Sequence, residues 1–255
     1  MTTKKRKIAL RIGIPLGILV IILLAVSLPY FFRVQSEISK MTPIDSKEVA
    51  TNVYSIKANS YVNFYIVKNE SSLIAFDSGQ NPNNIKNEMA KLNLNLSNVE
   101  AVFLTHTDSD HVGGLKLFPF AKVYLAAEEE QMINGQTSKS FLVNNKISSP
   151  YSLLSDNQII ETSGLKVRCI LTPGHTPGSM SYVVNDLYLF PGDTLSLKNN
   201  RVDLFNDFFN MNTNQERDSI TKLSKLSGVQ YIFTTHYGFS DNYQESFAKW
   251  NDNMQ

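Results

Sequence analysis

Short apolar runs and helix-spaced apolar positions alternate along the chain from residue 49 onwards. Runs rich in β-branched and aromatic residues, ended by turns rich in polar residues and Gly, predict strands at 52–56, 61–67, 73–76, 101–104, 122–126, 165–172, 180–184, 187–190 and 229–234. Helical spacing predicts helices at 82–92, 112–118, 126–133, 215–226 and 241–250. Strands in both halves with helices between them predict an α/β (α+β) fold, with two sheets between helical layers.

Two stretches lack a firm period. Residues 33–48 are polar, contain Pro43, and are interpreted as a tether. Residues 134–163 are rich in Asn and Ser, and we expect an irregular or weakly paired segment there, a candidate flap over a site. The remaining length and apolar content suit one large domain, predicted at 49–255.

The N-terminal pattern is different in kind. Residues 12–32 form a charge-free run of 21 residues, which as a helix would measure roughly 31 Å and match a bilayer core. A basic tail at 1–11 precedes this run, and Tyr30, Phe31 and Phe32 lie at its other end. We therefore predict a single-pass signal anchor in the cell membrane, with residues 1–11 in the cytoplasm and the domain outside. A signal peptide cleaved after Ser27, giving a secreted protein, is the alternative.

The charge balance supports this division. Six of the 24 Lys and Arg residues lie in residues 1–33, which contain no acid, so 18 basic and 23 acidic residues leave −5 for the remainder. A mildly acidic domain argues against a nucleic-acid partner.

Cys169 is the only cysteine, which excludes an intramolecular disulfide, and we interpret it as a buried structural thiol.

The candidate chemistry begins with the polar loop that follows the strand at 101–104. His106, Asp108, Asp110 and His111 fall within six residues there, directly before Gly113 and Gly114. Two imidazoles and two carboxylates at a strand end suit a divalent metal such as zinc. A solvated loop that happens to be rich in Asp and His is the alternative for this segment taken alone.

The positions of the other histidines argue against that alternative. His175 lies in T-P-G-H-T-P-G-S and His236 in T-T-H-Y-G, each in a turn after a predicted strand. A fourth such turn, P-G-D-T, holds Asp193. Because all four histidines of the chain lie at strand ends, the pattern favours one metal site built on a rigid scaffold.

These motifs, together with F-D-S-G around Asp77, resemble those of the metallo-β-lactamase superfamily, in the same order and over residues 50 to about 240. The family includes β-lactamases, glyoxalase II thioesterases, lactonases and phosphodiesterases. The resemblance implies an αββα four-layer sandwich with a two-metal site at one edge of the sheets.

Carried over residue by residue, the resemblance implies two sets of ligands. Metal site one would comprise His106, Asp108 and His175. Metal site two would comprise Asp110, His111 and His236. Asp193 would bridge both ions, while Asp77 would hold the neighbouring loops without touching metal.

Asp108 departs from the family pattern, H-x-H-x-D-H, which has histidine at this position. Aspartate still ligates zinc, and as a harder donor it also suits Mn²⁺ or Fe²⁺. We therefore expect two divalent ions, zinc foremost, with a less electrophilic first site or a single tightly held ion. The alternative is that Asp108 does not bind metal at all.

The predicted function is a membrane-anchored metal-dependent hydrolase. Metal-bound hydroxide would attack an ester, thioester, lactone or β-lactam bond of a small molecule, and Asp110 would accept a hydrogen bond from the water. Alternatives are a phosphodiesterase, a non-catalytic metal-binding or sensor domain, and redox chemistry on an iron pair. The aromatic content of the predicted lids at 58–61, 134–163 and 196–211 suggests an apolar or ring-bearing substrate. The sequence leaves the oligomeric state open.

Overall fold

The computed structural model describes residues 21–139, 144–147 and 149–252. The predicted basic tail, and the part of the predicted membrane helix before Ile21, lie outside these residues. Helix α1 (Ile21–Ile38) belongs to a first unit that ends at Met41, and it is long and apolar enough to cross a membrane. All other elements belong to a second unit that begins at Thr42.

The first sheet of this second unit has seven strands in sequence order. Strands β1 to β4 are antiparallel, and β4 to β7 are parallel. The strands are β1 (Lys47–Ala50), β2 (Val53–Lys57), β3 (Asn63–Asn69), β4 (Ser72–Phe76), β5 (Val99–Phe103), β6 (Lys122–Ala126) and β7 (Tyr151–Leu154).

The second sheet has six strands in the order β15-β14-β11-β10-β9-β8, and only β11 and β14 are parallel neighbours. A separate hairpin joins β12 to β13. These strands are β8 (Ile159–Thr162), β9 (Leu165–Leu171), β10 (Met180–Val184), β11 (Tyr188–Gly192), β12 (Ser196–Lys198), β13 (Arg201–Asp203), β14 (Tyr231–Thr234) and β15 (Phe239–Ser240).

The helices cover the outer faces of the two sheets. Ile85 and Met89 of one helix pack on the first sheet, and Ile220, Leu223 and Phe247 of two others pack on the second. The helices are α2 (Pro82–Lys91), α3 (Ser109–Val112), α4 (Glu130–Ile133), α5 (Thr213–Leu223) and α6 (Tyr243–Asp252), with 3₁₀ turns at Leu96–Asn98, Leu115–Leu117 and Ala127–Glu129. The predicted αββα layering is confirmed.

Aromatic side chains fill the space between the sheets. The rings of Phe76 in β4 and Phe190 in β11 stack 4.1 Å apart, so the two strands that deliver site residues are packed against each other. Two buried tyrosines also cross the interface: Tyr65 donates to the carbonyl of Thr234 at 2.9 Å, and Tyr182 to that of Leu104 at 2.6 Å. These bonds fix the ends of β14 and β5, where the site begins.

Burial raises the pKa of the Cys169 thiol in β9 to about 12. The interpretation of this residue as a buried structural thiol agrees with that environment.

The structure differs from the sequence prediction at several segments. The single helix expected at 112–118 is wrong: α3 ends at Val112, and a 3₁₀ turn follows Gly113 and Gly114. A Cβ at Gly114 would lie 2.1 Å from the Ser78 carbonyl oxygen, so the close approach of these loops requires glycine. Residues 134–163, expected to be irregular or weakly paired, contain the two edge strands β7 and β8. Residues 33–48, predicted as a tether, contain the end of α1 and the start of β1.

Candidate metal centre

The candidate ligands lie in the loops that follow parallel-running strands of both sheets. The polar loop with His106 follows β5, while the turns with His175, Asp193 and His236 follow β9, β11 and β14. Strands β9, β11 and β14 share one direction, so their carboxyl ends meet at one edge of the second sheet. Packing of the two sheets brings the end of β5 to the same edge. A hydrogen bond joins the sheets there, since the Met180 backbone N–H donates to the Thr105 carbonyl oxygen at 2.8 Å.

Asp193 lies at the middle of the cluster. Its Oδ2 atom is 3.3 Å from Nε2 of His236, 3.4 Å from Nε2 of His175, 3.5 Å from Nε2 of His111 and 4.0 Å from Nε2 of His106. All four rings are buried and converge on one carboxylate through the same ring atom. The structure thus brings together every residue of the predicted set, including Asp108 and Asp110.

The donors fall into overlapping groups whose ligand atoms lie within 4.8 Å of one another. One group is His106, Asp108 and His175, and another is Asp110, His111 and His236. Asp193 joins His106 and His111 in a third group that overlaps both. The division corresponds to the two ligand sets that the resemblance implies.

Unpaired polar atoms show that the cluster fits metal ions. Within the described ranges, His106 Nε2, His111 Nε2 and Asp193 Oδ1 are buried without a hydrogen-bond partner. Buried polar atoms are almost always paired in native proteins, and orphans of this kind indicate a missing partner. Imidazole nitrogen and carboxylate oxygen are the donors that zinc takes.

The opposite ring atom, Nδ1, is held in all four histidines. His236 Nδ1 donates to the Tyr61 carbonyl oxygen at 2.6 Å, and His111 Nδ1 contacts Asp77 Oδ2 at 2.9 Å. His175 Nδ1 contacts Asn210 Oδ1 at 3.1 Å, and His106 Nδ1 contacts Thr105 Oγ1 at 3.1 Å. Such partners fix the ring orientation and leave Nε2 available as the ligand atom.

Asp77 contacts the loop after β5, in agreement with the structural role that the resemblance implies. Its Oδ1 accepts from the Thr105 backbone N–H at 2.8 Å, and both of its oxygens contact Thr105 Oγ1. Through His111 it also orients the second group of donors. The neighbouring strand end is packed tightly as well, because a Cβ at Gly192, whose φ is +55°, would lie 2.5 Å from the Thr105 side chain.

The electrostatics of the cluster favour the ligating forms of Asp193 and His175, but they favour the protonated form of His111. Burial opposes ionisation of Asp193, but His236 and His111 outweigh it and hold the pKa of this carboxyl well below its usual value. Burial and the Lys139 ammonium lower the pKa of His175 to about 4. Burial works against a charged His111, but Asp77, Asp193 and Asp110 raise its pKa well above the ordinary value.

Sequence reasoning missed Glu129, which is fully buried beneath the site. Its Oε1 accepts from the backbone N–H and hydroxyl of Thr107, at 2.8 and 2.7 Å, and its Oε2 accepts from the Thr176 hydroxyl at 2.7 Å. One carboxylate thus ties the loop of His106 to the loop of His175. A Cβ at Gly178 would lie 2.2 Å from the Glu129 backbone nitrogen, so the glycine in this turn permits the contact.

A second support that was missed lies behind His175. Asn210, which contacts the His175 ring, donates through Nδ2 to Glu216 Oε2 at 2.8 Å. Burial raises the pKa of Glu216 to about 8. Neither residue carries a sequence motif, since Asn210 lies in a polar-aromatic stretch and Glu216 in the first turn of an amphipathic helix.

The site opens to a cleft with a volume of about 1020 Å³ over Asp108 and Asp110. Aromatic rings flank the histidines: Tyr61 stacks on His236 at 6.2 Å, and the Phe205 ring meets His175 edge-on at 5.0 Å. Both rings come from segments predicted as lids. Of these two rings, Tyr61 is partly exposed, whereas Phe205 is buried.

Comparison with known proteins agrees with this geometry. A family model described as the metallo-beta-lactamase superfamily matches residues 59–236, most of the chain. The chain belongs to the metallo-beta-lactamase superfamily. The fold is similar to that of a family protein from Thermus thermophilus, with a TM-score of 0.61, 18% identity and coverage of 82% of this chain and 81% of that one. It is also similar to the subclass B3 enzyme BJP-1 of Bradyrhizobium japonicum, with a TM-score of 0.60, 17% identity and coverage of 77% and 79%.

Curated relatives match over shorter segments. The chain is 30% identical to the uncharacterized protein YobT of Bacillus subtilis over 54% of this chain and 63% of YobT. It is 33% identical to the "Probable polyketide biosynthesis zinc-dependent hydrolase BaeB" of Bacillus velezensis, over 51% and 54%. It is 39% identical to a hydroxyacylglutathione hydrolase of Salmonella paratyphi B, over 38% and 33%. The matches thus span less than two thirds of YobT, about half of BaeB and a third of the hydroxyacylglutathione hydrolase.

Proposed function

We propose that this chain is a metal-dependent hydrolase that cleaves an ester, thioester, lactone or β-lactam bond of a small molecule. The observation that carries the proposal is the position of Asp193 Oδ2 within 4.0 Å of Nε2 of all four histidines. A superfamily whose relatives include proteins named as zinc-dependent hydrolases supports the same reaction class.

In this proposal His106, Asp108 and His175 hold one zinc ion, and Asp110, His111 and His236 hold a second. Asp193 contributes to both. Two such ions, when bound, supply a water activated towards neutral pH and an electrophile for the bond under attack. The carboxylate at position 108 extends the range of suitable ions to Mn²⁺ and Fe²⁺.

The protein's own groups would bind and orient the substrate. Asp110 is partly exposed to the cleft and lies 3.5 Å from His236 Nε2, where it can accept the proton of an attacking water. Tyr61 would receive an apolar or ring-bearing portion of the substrate beside the His236 ring, while the buried Phe205 packs against the His175 ring. An acyl group attached to the glutathione sulfur forms a thioester. The relative named hydroxyacylglutathione hydrolase therefore supports the inclusion of thioesters among the proposed substrates.

A hydrolysis screen tests the proposal. We expect the purified full-length chain to cleave at least one of four probes, a nitrophenyl ester, an acyl thioester, a lactone or a chromogenic β-lactam, and to lose that activity with a chelator and regain it with Zn²⁺. A phosphodiester probe tests the alternative reaction within the family. Zinc binding without cleavage of any probe would favour a non-catalytic metal-binding or sensor domain instead.

We also propose that residues 12–32 anchor the chain in the cell membrane, with residues 33–48 as a tether and 49–255 as an extracytoplasmic domain. Two features support this topology: the apolar helix α1 and the basic residues that precede it in the sequence. Cleavage of the segment as a signal sequence would give a secreted domain instead.

Protease protection distinguishes these topologies. A protease added to intact cells should degrade the domain while leaving a cytoplasmic marker protein intact. Recovery of the domain from the culture medium would indicate cleavage and secretion, whereas complete protection of a cell-associated domain would contradict the external location.

A further inference from the structure

Lys139 reaches into the first group of candidate ligands. Its Nζ atom lies 2.5 Å from Asp108 Oδ2 and 2.7 Å from His175 Nε2. These two atoms are the donors that Asp108 and His175 would offer to the first metal ion. The ammonium therefore contacts the same lone pairs that the ion needs.

A second residue of the same segment completes the enclosure of Asp108. Asn145 donates through Nδ2 to Asp108 Oδ1 at 3.0 Å and to the Thr107 hydroxyl at 2.9 Å. Lys139 and Asn145 both lie in the part of the chain that follows α4, and they engage the two oxygens of one carboxylate from the cleft side. The position that departs from the family pattern is thus the one that this segment contacts.

Among the described residues, no lysine ammonium lies against the second group of donors. In the described part of the chain, Asp110 forms ion pairs with His111 and His236 alone, and no Lys or Arg lies within 4.0 Å of its oxygens. The ion pairs of Asp193 likewise involve histidines alone among the described residues. The two halves of the centre therefore differ in whether a lysine ammonium lies against the candidate ligand atoms.

The charges of the candidate ligands are balanced when one divalent ion and the Lys139 ammonium are both present. Asp108, Asp110 and Asp193 carry three negative charges, which one divalent ion and one ammonium neutralise. A second divalent ion brought into the first group would meet the ammonium at close range, and two cations a few ångströms apart in a buried site repel strongly.

We propose that Lys139 and the first-site metal compete for Asp108 and His175, so that the chain holds one ion tightly in the second site and a second ion weakly. This inference rests on the proposed metal centre and deepens it by naming the residue that determines how many ions are bound. The first site fills when the flexible side chain of Lys139 withdraws into the cleft, where it is already partly exposed.

Zinc titration of the full-length chain in detergent, against a chromophoric chelator, tests the proposal. We expect two steps for the unaltered chain, with the second much weaker. Lys139→Met keeps the length of the side chain and removes its charge, so it should strengthen the second step about tenfold or more and leave the first unchanged. Lys139→Gln serves as a second variant should the first not fold.

Lys146→Met is the matched control. Lys146 lines the same cleft on the same segment but contacts none of the candidate ligands, so its removal should leave both steps as they are. Equal zinc affinities for the unaltered chain and Lys139→Met would overturn the inference while leaving the metal centre intact. An equal gain from Lys146→Met would overturn it too, since a general charge effect would then explain the result. Absence of zinc binding in every variant would contradict the proposed function itself.

Discussion

Asp193→Ala should abolish both metal binding and hydrolysis. The change removes the one oxygen that approaches all four histidine Nε2 atoms, and it leaves these rings without the negative charge that compensates them. Because a metal ion contributes several kcal/mol to stabilisation of the transition state, we expect a loss of about a thousandfold or more in kcat/KM. The measurement is zinc content by elemental analysis together with the rate on the probe identified in the screen.

Asp218→Ala is the control for this variant. Asp218 is exposed on α5 and contacts none of the candidate ligands, so zinc content and rate should equal those of the unaltered chain. If Asp193→Ala instead retained two zinc ions and full activity, the assignment of the carboxylate as a shared ligand would be wrong.

Glu129→Ala should destabilise the fold as well as the site. The substitution leaves two hydroxyls and one backbone N–H buried without their acceptor, beneath the loops of His106 and His175. Each such loss costs about 1–3 kcal/mol, so the free energy of unfolding should fall by about 3 kcal/mol or more. Denaturant unfolding of the zinc-free chain measures this fall in the free energy of unfolding without the contribution of metal binding.

Glu128→Ala removes the adjacent carboxylate, which is exposed, and should change the free energy of unfolding by less than about 0.5 kcal/mol. Equal stabilities of Glu128→Ala and Glu129→Ala would show that the buried contacts to Thr107 and Thr176 do not stabilise the loops.

These two residues illustrate what the sequence could and could not predict. Asp193 was identifiable because it lies in a glycine-containing turn directly after a strand, and apolar periodicity locates strand ends well. Glu129 was not, since it is the middle one of three consecutive glutamates, Glu128 to Glu130, and which of them is buried depends on how the turn before α4 packs. The same holds for Asn210 and Lys139, whose roles arise from contacts 35 and 31 to 36 positions away in the chain.

The errors in the fold prediction have a similar origin. Strands β7 and β8 are four-residue edge strands whose sequences, YSLL and IIET, lack the strict apolar–polar alternation of a half-buried strand. The helix expected at 112–118 was predicted from its apolar residues, but tight packing of Gly113 and Gly114 against the loop around Gly79 ends it early. Apolar pattern thus predicted the layers, while backbone packing determined the details near the site.

The zinc stoichiometry of the full-length chain tests the account most directly. Elemental analysis after dialysis at low free zinc and at saturating free zinc should give one equivalent and two equivalents, respectively, and His175→Ala should lose the second. A chain that binds no zinc at saturation, or one in which His175→Ala still binds two equivalents, would contradict the metal centre on which the proposed hydrolase function depends.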